Sequence, residues 1–377
     1  MKVMLGLSGG VDSAVAAYLL KKQGYEVICC FMRNWDAFAN NDVLGNPTID
    51  ADQCPQEKDY QDACKVAEKL GLPMMRIDFI KEYWDNVFSY FLDEYKKGRT
   101  PNPDIFCNKY IKFDAFLNFA KENGCDYIAM GHYARRVDKD GKTFMYKAAD
   151  KNKDQTYFLS QINNAQLKSC LFPLGDITKD EVRRIAHELD LESVEDKKDS
   201  TGVCFIGERN FKEFLKNYLP ANQGNIVDIA TGRVLGKHDG VMYYTLGQRK
   251  GLGIGGIKGE VAKGWFVCGK SVKKNELYVA SGSEDEHLFG DECIVSDMNY
   301  YNESIADGTH LYAKFRYRQQ DLGVTLYNLP NNEIKLVFDD NYKAVTPGQA
   351  CVLYDGEICL GGGIIKEVYY KGKLKNY

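Results

Sequence analysis

The residues best suited to chemistry near the N-terminus form a glycine-rich loop between a short apolar run and a helix-like segment. The loop reads Gly6-Leu7-Ser8-Gly9-Gly10-Val11-Asp12-Ser13. Glycines let a backbone turn tightly and approach a ligand, and a helix N-terminus presents N–H groups and a positive dipole end to an anion. The loop lacks the Gly-Lys-Ser/Thr ending of a Walker loop and the glycine spacing of a dinucleotide fingerprint. We therefore predict a phosphate site of another class. The simpler alternative is a structural turn capped by Asp12 or Ser13.

A cysteine lies near a predicted helix start in the segment Asn102-Pro103-Asp104-Ile105-Phe106-Cys107-Asn108. Pro103 holds Asn102 extended and suits the first turn of a helix, on which Asp104 and Cys107 share a face. A helix N-terminus with Lys109 and Lys112 close by is a setting that lowers the pKa of a thiol. Taken alone, the segment favours the alternative of a buried cysteine beside an N-capping aspartate.

A second cysteine, Cys204, lies in the glycine-flanked loop Asp199–Gly207. A thiol on a loop can be exposed and mobile, which suits a sulfur carrier better than a core position does. The alternative is a thiol packed between Val203 and Phe205.

The elements that must position these residues change character along the chain. The first part alternates strand-like and helix-like runs, which predicts an α/β domain with a doubly wound parallel sheet. Predicted strands are Met1–Leu7, Glu26–Met32, Met74–Asp78 and Cys125–Met130, and predicted helices are Ser13–Lys22, Asp59–Leu70 and Lys179–Leu189, the last with a capping box of Thr178 and Glu181.

Beyond about Asn210, glycine-rich turns separate short strand-like runs, which predicts small β-domains, at least one of them a barrel. The runs are Gly264–Cys268, Glu276–Val279, Leu311–Arg318, Ile334–Phe338 and Ala350–Tyr354. We predict three domains: a catalytic domain at 1–209, a β-rich domain at 210–277 and a terminal β-barrel at 278–377. The polar insertion Asn34–Pro55 is predicted to be a mobile loop.

Composition limits the class of protein. The chain has 377 residues, a net charge of -4 and 12 cysteines. It is globular in composition and has no apolar run of the roughly 18 residues that a membrane span needs. The charge excludes nucleic-acid binding through bulk positive charge but leaves room for a local basic surface. Without a leader sequence the cysteines are expected to be reduced, most of them buried like Cys29 and Cys30, and the location cytoplasmic.

Together the motifs resemble the tRNA-specific 2-thiouridylases, members of the PP-loop ATP pyrophosphatases. The strings that carry the resemblance are S-G-G-V-D-S at Ser8–Ser13, N-P-D-I-F-C-N at Asn102–Asn108, G-H-Y-A at Gly131–Ala134, K-D-Q-T-Y-F-L-S at Lys153–Ser160, F-P-L-G at Phe172–Gly175, D-S-T-G-V-C-F-I-G at Asp199–Gly207, Y-T-L-G-Q-R-K-G-L-G-I-G-G at Tyr244–Gly256 and F-R-Y-R-Q at Phe315–Gln319. They span nearly the whole chain in order. The family usually has Ser at the position of Thr156, a change that keeps the hydroxyl.

The resemblance implies an adenine nucleotide alpha hydrolase-like domain and ATP-dependent thiolation of the wobble uridine of tRNA. ATP would adenylate the C2 oxygen and release pyrophosphate at the Gly6–Ser13 loop, with Mg²⁺ on the phosphates. It further implies that Met32 and Gly131 contact the adenine side of ATP. Cys204 would carry a persulfide, and Cys107 would free the sulfur and leave a Cys107–Cys204 disulfide. No protein metal ligands are expected.

For tRNA, the resemblance places the target base against Asn102, Pro103 and Asp104, with Asp104 as candidate general acid or base. It assigns further RNA contacts to Lys153, Asp154, Gln155, Arg316 and Tyr317. On a strand Leu311–Arg318, alternation would put Lys314, Arg316 and Arg318 on one face. Seven Lys or Arg and a single acid lie between Gln248 and Lys274. The expected partners are the tRNAs for Lys, Glu and Gln and a persulfide donor, either a cysteine desulfurase or a sulfur relay.

Two other functions share parts of this pattern. Another PP-loop ATP pyrophosphatase using a nitrogen nucleophile would need the loop but not the cysteine pair. A non-catalytic RNA-binding module would need neither Asp104 nor both cysteines.

Overall fold

A five-stranded parallel sheet forms the centre of the N-terminal part of the computed structural model, which describes residues 1–50, 54–191, 193–194, 206–207, 209–255 and 264–375. The strand order is β3-β2-β1-β4-β7. The strands of the described residues are β1 Lys2–Gly6, β2 Glu26–Arg33, β3 Met74–Asp78, β4 Tyr127–Ala129, β5 Ala134–Lys139, β6 Lys142–Lys147, β7 Cys170–Leu171, β8 Gly224–Asp228, β9 Val234–His238, β10 Trp265–Ser271, β11 Glu276–Ser281, β12 Phe289–Tyr300, β13 Thr309–Lys314, β14 Leu322–Leu329, β15 Glu333–Lys343, β16 Ala350–Asp355, β17 Ile358–Tyr370 and β18 Lys373–Leu374.

Helices cover both faces of this sheet. The α-helices of the described residues are α1 Val11–Lys22, α2 Pro55–Lys69, α3 Ile80–Tyr83, α4 Ser89–Lys96, α5 Pro103–Phe106, α6 Phe116–Glu122, α7 Thr156–Leu159, α8 Asn164–Lys168, α9 Lys179–Glu188 and α10 Phe211–Lys216. Successive side chains of a strand point to opposite faces of the sheet, which explains why there is one core on each face. Val3 and Leu5 pack with α1, α2 and α9 in one core, whereas Met4 packs with residues of α4 to α6 in another.

The predicted doubly wound α/β domain is therefore confirmed, with small differences at element ends. Helix α1 begins at Val11, ahead of the predicted Ser13, and α2 begins at Pro55 rather than Asp59. The capping box before α9 is present as predicted, because Thr178 Oγ1 accepts from the Glu181 N–H and the Glu181 side chain accepts from the Thr178 N–H.

Two segments of the helical layer are π-helical, Trp84–Phe88 and Cys107–Ala115. The second continues α5 directly, so the predicted helix after Pro103 exists but widens at Cys107. Single-turn π segments inside helices are often found at functional sites.

A four-stranded sheet of order β10-β11-β8-β9 follows α10, and a six-stranded barrel follows that sheet. The barrel strands run β12-β15-β14-β13-β16-β17, and pairing of β12 with β17 closes them. The hairpin β5–β6 of the N-terminal part extends the barrel through pairing of β6 with β17. The predicted β-rich segment and terminal barrel are confirmed. The exact domain limits at 209 and 277 stay a prediction.

Part of the polar insertion Asn34–Pro55 packs against other segments, and its predicted mobility stays a prediction. Trp35 and Asp42 are buried, and the Trp35 indole N–H donates to Asp42 at 3.0 Å. Arg209 forms a salt bridge to the same carboxylate at 2.7 Å. Asn217, one residue beyond α10, exchanges hydrogen bonds with the backbone of Leu44.

Candidate active site

The glycine-rich loop joins the C-terminal end of β1 to the start of α1, the position where open parallel sheets bind ligands. The Ser8 N–H donates to Ser13 Oγ at 3.1 Å, and Ser13 Oγ donates to the Gly10 carbonyl at 3.0 Å. Gly9 has a φ of +75°, which favours glycine. Gly10 caps α1 without a side chain, so no side chain covers this helix end. The loop thus presents backbone and serine groups to an anion.

Two residues that the sequence analysis missed hold Asp12 in place. Its Oδ1 accepts hydrogen bonds from the Tyr133 hydroxyl and from Lys179 Nζ, both at 2.7 Å. Lys179 is buried at the first turn of α9. These contacts tie the loop to the segment after β4 and to a distant helix. A single sequence carries no signal for the contact between Lys179 and Asp12.

A cavity of about 440 Å³ opens at the loop. Its lining contains nearly all residues predicted for ATP: Gly6, Leu7, Ser8, Gly9, Gly10, Asp12, Ser13, Met32 and Gly131. Val11 is instead buried in the core below the loop. A Cβ on Gly131 would lie 3.0 Å from the Ser13 nitrogen, so this glycine allows β4 to end close against α1.

The cavity also contains polar residues that were not predicted as ligands, among them Asp59, Lys112 and His132. The His132 ring is buried, and burial together with the charge of Lys112 lowers its pKa well below 6.5. Its Nδ1 has no hydrogen-bond partner in the described part of the chain. The position of His132 just beyond β4 was a usable signal, because ligand sites gather at the carboxyl ends of parallel strands.

The segment Asn102–Cys107 has the local geometry expected from its sequence. Asn102 Oδ1 accepts from the Asp104 N–H at 3.1 Å and caps α5, with Pro103 in its first turn. Cys107 is completely buried, and neither it nor Asp104 is part of the cavity lining. Lys112, five positions further along the same π-helical segment, does reach the cavity.

Cys204 lies outside the described residues. Ile206 and Gly207, which follow it closely in sequence, line the loop cavity. Of the other eleven cysteines, all but Cys54 and Cys64 are buried. Burial raises the pKa of Cys29 to about 12, as expected for a packing residue. The prediction that most cysteines are buried is confirmed for these eleven, and their reduced state stays a prediction.

The predicted RNA contacts Lys153, Asp154 and Gln155 lie beside the cavity in different environments. Gln155 lines it and accepts from the Tyr133 N–H at 3.0 Å. Asp154 is buried and accepts from the Ala148 N–H and the Thr156 hydroxyl, and burial raises its pKa. Lys153 is half-buried in the preceding turn. The Asp154 carboxylate therefore faces the protein interior in this conformation.

The prediction that Lys314, Arg316 and Arg318 lie on one face of a strand is wrong. Strand β13 ends at Lys314, and the chain then turns, with the Phe315 N–H donating to the Gln319 side chain at 2.9 Å. The turn directs Arg316 inward. Its Nη2 donates to the carbonyls of Leu246 and Ala344 at 2.8 and 2.9 Å, which joins the four-stranded sheet domain to the barrel.

Tyr317 packs against a segment of the N-terminal part. Its ring centroid lies 4.3 Å from that of Phe158 and 6.2 Å from that of Tyr157. Tyr317 and Gln155 therefore flank the same short helix, α7, from the barrel side and the cavity side.

Two kinds of feature are absent from the described ranges. Those residues contain no group of three or more His, Cys, Asp or Glu side chains suited to a metal ion. Their helices include none with the length and apolarity required to cross a membrane.

Comparisons with known proteins agree along the whole chain. The family described as tRNA methyl transferase HUP domain matches residues 1–208, the tRNA methyl transferase PRC-barrel domain matches 212–281, and the Aminomethyltransferase beta-barrel domain matches 290–365. The tRNA-specific 2-thiouridylase MnmA of Metamycoplasma arthritidis is 55% identical over 377 residues, which cover 100% of this chain and 99% of that protein. The protein of the same name from Mesoplasma florum is 56% identical over 373 residues, covering 97% and 98%.

Among solved structures, a complex of a 4-thiouridine synthetase with RNA and bound ATP is similar with a TM-score of 0.32 and 16% identity. The alignment covers 55% of this chain and 46% of that one.

Proposed function

We propose a function from one premise, that this chain belongs to the tRNA-specific 2-thiouridylase family. It catalyses ATP-dependent 2-thiolation of the wobble uridine of tRNA, with AMP and pyrophosphate as the other products. The descriptions of the matching domain families refer to methyl transfer, but methyl transfer needs neither an anion-binding loop nor paired cysteines. The site therefore favours the thiolation named for the relatives.

One structural observation supports the proposal independently of the names of the relatives. Lys112, from the segment that Cys107 begins, and Ile206, two positions after Cys204, line the same cavity as the glycine-rich loop. The segment that begins at Cys107 and the residues that follow Cys204 in sequence thus both contribute to the proposed ATP site.

In the proposed first half-reaction, the loop binds the β- and γ-phosphates of ATP while the uridine C2 oxygen attacks the α-phosphorus. The N–H groups of the loop and the hydroxyls of Ser8 and Ser13 stabilise negative charge on the departing pyrophosphate. Lys112, which lines the same cavity, is a further cation for the phosphates. Met32 and Gly131 are proposed to contact the adenine side.

Mg²⁺ on the phosphates fits this site. Asp12 and Asp59 both line the cavity, and Mg²⁺ is commonly held by one or two carboxylates together with substrate phosphates and water. When bound, the ion would neutralise phosphate charge. In the chain itself, Lys179 and Tyr133 hold the Asp12 carboxylate at the loop.

In the second half-reaction, the Cys107 thiolate attacks the inner sulfur of a Cys204 persulfide. This forms the Cys107–Cys204 disulfide and releases hydrosulfide, which attacks C2 and expels AMP with the former C2 oxygen. A thiol reductant then restores both cysteines. Asp104, beside Asn102 and Pro103, is the proposed acid or base for the target base. Lys153, Asp154, Gln155, Arg316 and Tyr317 remain predicted tRNA contacts.

The test is to incubate the protein with ATP, Mg²⁺, a persulfide source and unmodified tRNA, and to measure 2-thiouridine and AMP together. Cys107→Ser and Cys204→Ser are expected to abolish thiolation while retaining ATP binding. Cys64→Ser, a partly exposed cysteine on α2, is the matched control and should retain full activity. Normal thiolation by Cys204→Ser would overturn the persulfide mechanism, and ADP in place of AMP would overturn the loop assignment.

The proposed partners follow from the same chemistry. They are tRNAs for Lys, Glu and Gln and a persulfide donor, either a cysteine desulfurase or a sulfur-relay protein, and the proposed location is the cytoplasm. Comparing purified tRNAs in the thiolation assay would define the accepted set.

A further inference from the structure

A second cavity, of about 740 Å³, lies between the four-stranded sheet and the closing end of the barrel. Its charged side chains are mostly of one sign, namely Lys270, Lys274, Lys371, Lys373, Lys375 and a single acid, Glu286. We call this cavity the lysine pocket. Glu286 is already paired with Lys371 at 2.9 Å. The excess of positive charge contrasts with a chain whose net charge is -4.

Lys270, on edge strand β10, is the feature of the lysine pocket that packing does not explain. Its side chain is only 1% exposed, and Nζ has no hydrogen-bond partner among the described residues. Burial lowers its pKa to about 7. A buried ammonium without a partner is strongly unfavourable, so a lysine in this place indicates an anion that is supplied from outside.

The neighbouring Lys375 differs from Lys270 in having carbonyl partners. Its Nζ donates to the carbonyls of His287 and Phe289 at 2.7 and 2.9 Å. Lys274 and Lys373 are exposed at the mouth of the cavity. The pocket therefore combines a buried, unpartnered lysine in its lining with exposed lysines, an arrangement that suits a tetrahedral oxyanion with several acceptor oxygens.

We propose that the lysine pocket binds a phosphodiester group of the tRNA backbone, an inference that rests on the proposed function. Phosphate contacts from lysines orient a protein on a nucleic acid without reading its sequence. The pocket would thus help to hold the body of the tRNA on the β-domains while the target base reaches the loop cavity. The same groups could bind free inorganic phosphate, and the test distinguishes free phosphate from a phosphate of the tRNA backbone.

The test compares tRNA binding by the full-length wild-type protein, Lys270→Met and Lys273→Met as a function of KCl concentration. Met keeps the length of the buried side chain and removes its charge. Lys273 is exposed on the same hairpin but does not line the pocket, so it controls for loss of surface charge. We expect Lys270→Met to weaken tRNA binding about tenfold and to reduce the slope of log K against log salt by about 0.9. Its thermal midpoint should equal or exceed that of the wild type, and Lys273→Met should change both binding quantities less.

Equal tRNA affinity of Lys270→Met and wild type would overturn the proposal. If Lys270→Met does not fold, the exposed double variant Lys274→Met/Lys373→Met is judged by the same criteria. Inorganic phosphate that stabilises the wild type but not Lys270→Met, with tRNA affinity unchanged, would also overturn it, because the pocket would then take free phosphate. Failure of the wild type to thiolate a tRNA that it binds would reject the proposed function and leave the binding result intact.

Discussion

Replacing Gly9 by alanine tests whether the loop conformation itself creates the proposed ATP site. Gly9 has a φ of +75°, and a Cβ there would lie 2.2 Å from the carbonyl oxygen of Asp59. A relaxed carbon–oxygen contact is about 3.3 Å, so either the loop or α2 must move by about 1 Å. Displacement of that size can lower a reaction rate about 100-fold. We expect thiolation by Gly9→Ala to fall by about that factor and ATP affinity to fall with it.

Gly124→Ala is the matched control for the cost of placing alanine at a positive φ. Gly124 has a φ of +71° after α6, but a Cβ there meets nothing within 4 Å. Both variants should lose about 1–2 kcal/mol of unfolding free energy from the left-handed backbone, measured by urea denaturation. ATP affinity, measured by calorimetry, should be normal only in Gly124→Ala. Normal ATP affinity and thiolation in a folded Gly9→Ala protein would refute the reasoning.

Three further predictions concern buried groups. Cys107 has no exposed surface, so iodoacetamide should label it far more slowly than the exposed Cys54; equal rates by mass spectrometry would contradict the burial. Arg316→Ala should lower the unfolding free energy by about 2 kcal/mol, because the carbonyls it joins lose a charged donor. A variant of unchanged stability but weaker tRNA binding would instead make Arg316 an RNA contact. His132 is neutral when folded because its pKa lies well below 6.5, so protonation of the unfolded chain lowers stability as pH falls below about 6.5. His132→Gln should show a shallower loss of stability over the same pH range, and identical pH profiles would reject this.

Much of the catalytic domain could be predicted because its signals are local. The Gly6–Ser13 loop, the capping box of Thr178 and Glu181, and the Asn102 cap of α5 each depend on residues within a few positions of one another. Their backbone geometry follows from short-range sterics and hydrogen bonds. Met32 and Gly131, which the family resemblance assigned to the adenine side of ATP, both line the loop cavity, and their contact with adenine stays a prediction.

The wrong prediction arose where a local pattern extended past its structural limit. Alternation of Lys314, Arg316 and Arg318 is typical of one strand face, but β13 ends at Lys314. The turn is closed by Gln319, and Arg316 finds carbonyl partners 70 and 28 positions away in sequence. Side chains alternate between two faces only as long as the strand continues. In β13, partners distant in sequence decided where the strand ends.

By itself, the sequence determined the class of the N-terminal domain and the position of the glycine-rich loop, because both depend on residues close together along the chain. The phosphate-binding role of the loop and the roles of Cys107 and Cys204 stay predictions. Tertiary structure alone decided that Lys179 holds Asp12 across 167 positions, that Lys112 and Ile206 share a cavity, and that Lys270 is buried without a partner. These contacts form only when distant segments pack together. Their energies depend on burial and on neighbouring charges, which residue spacing along one chain does not specify.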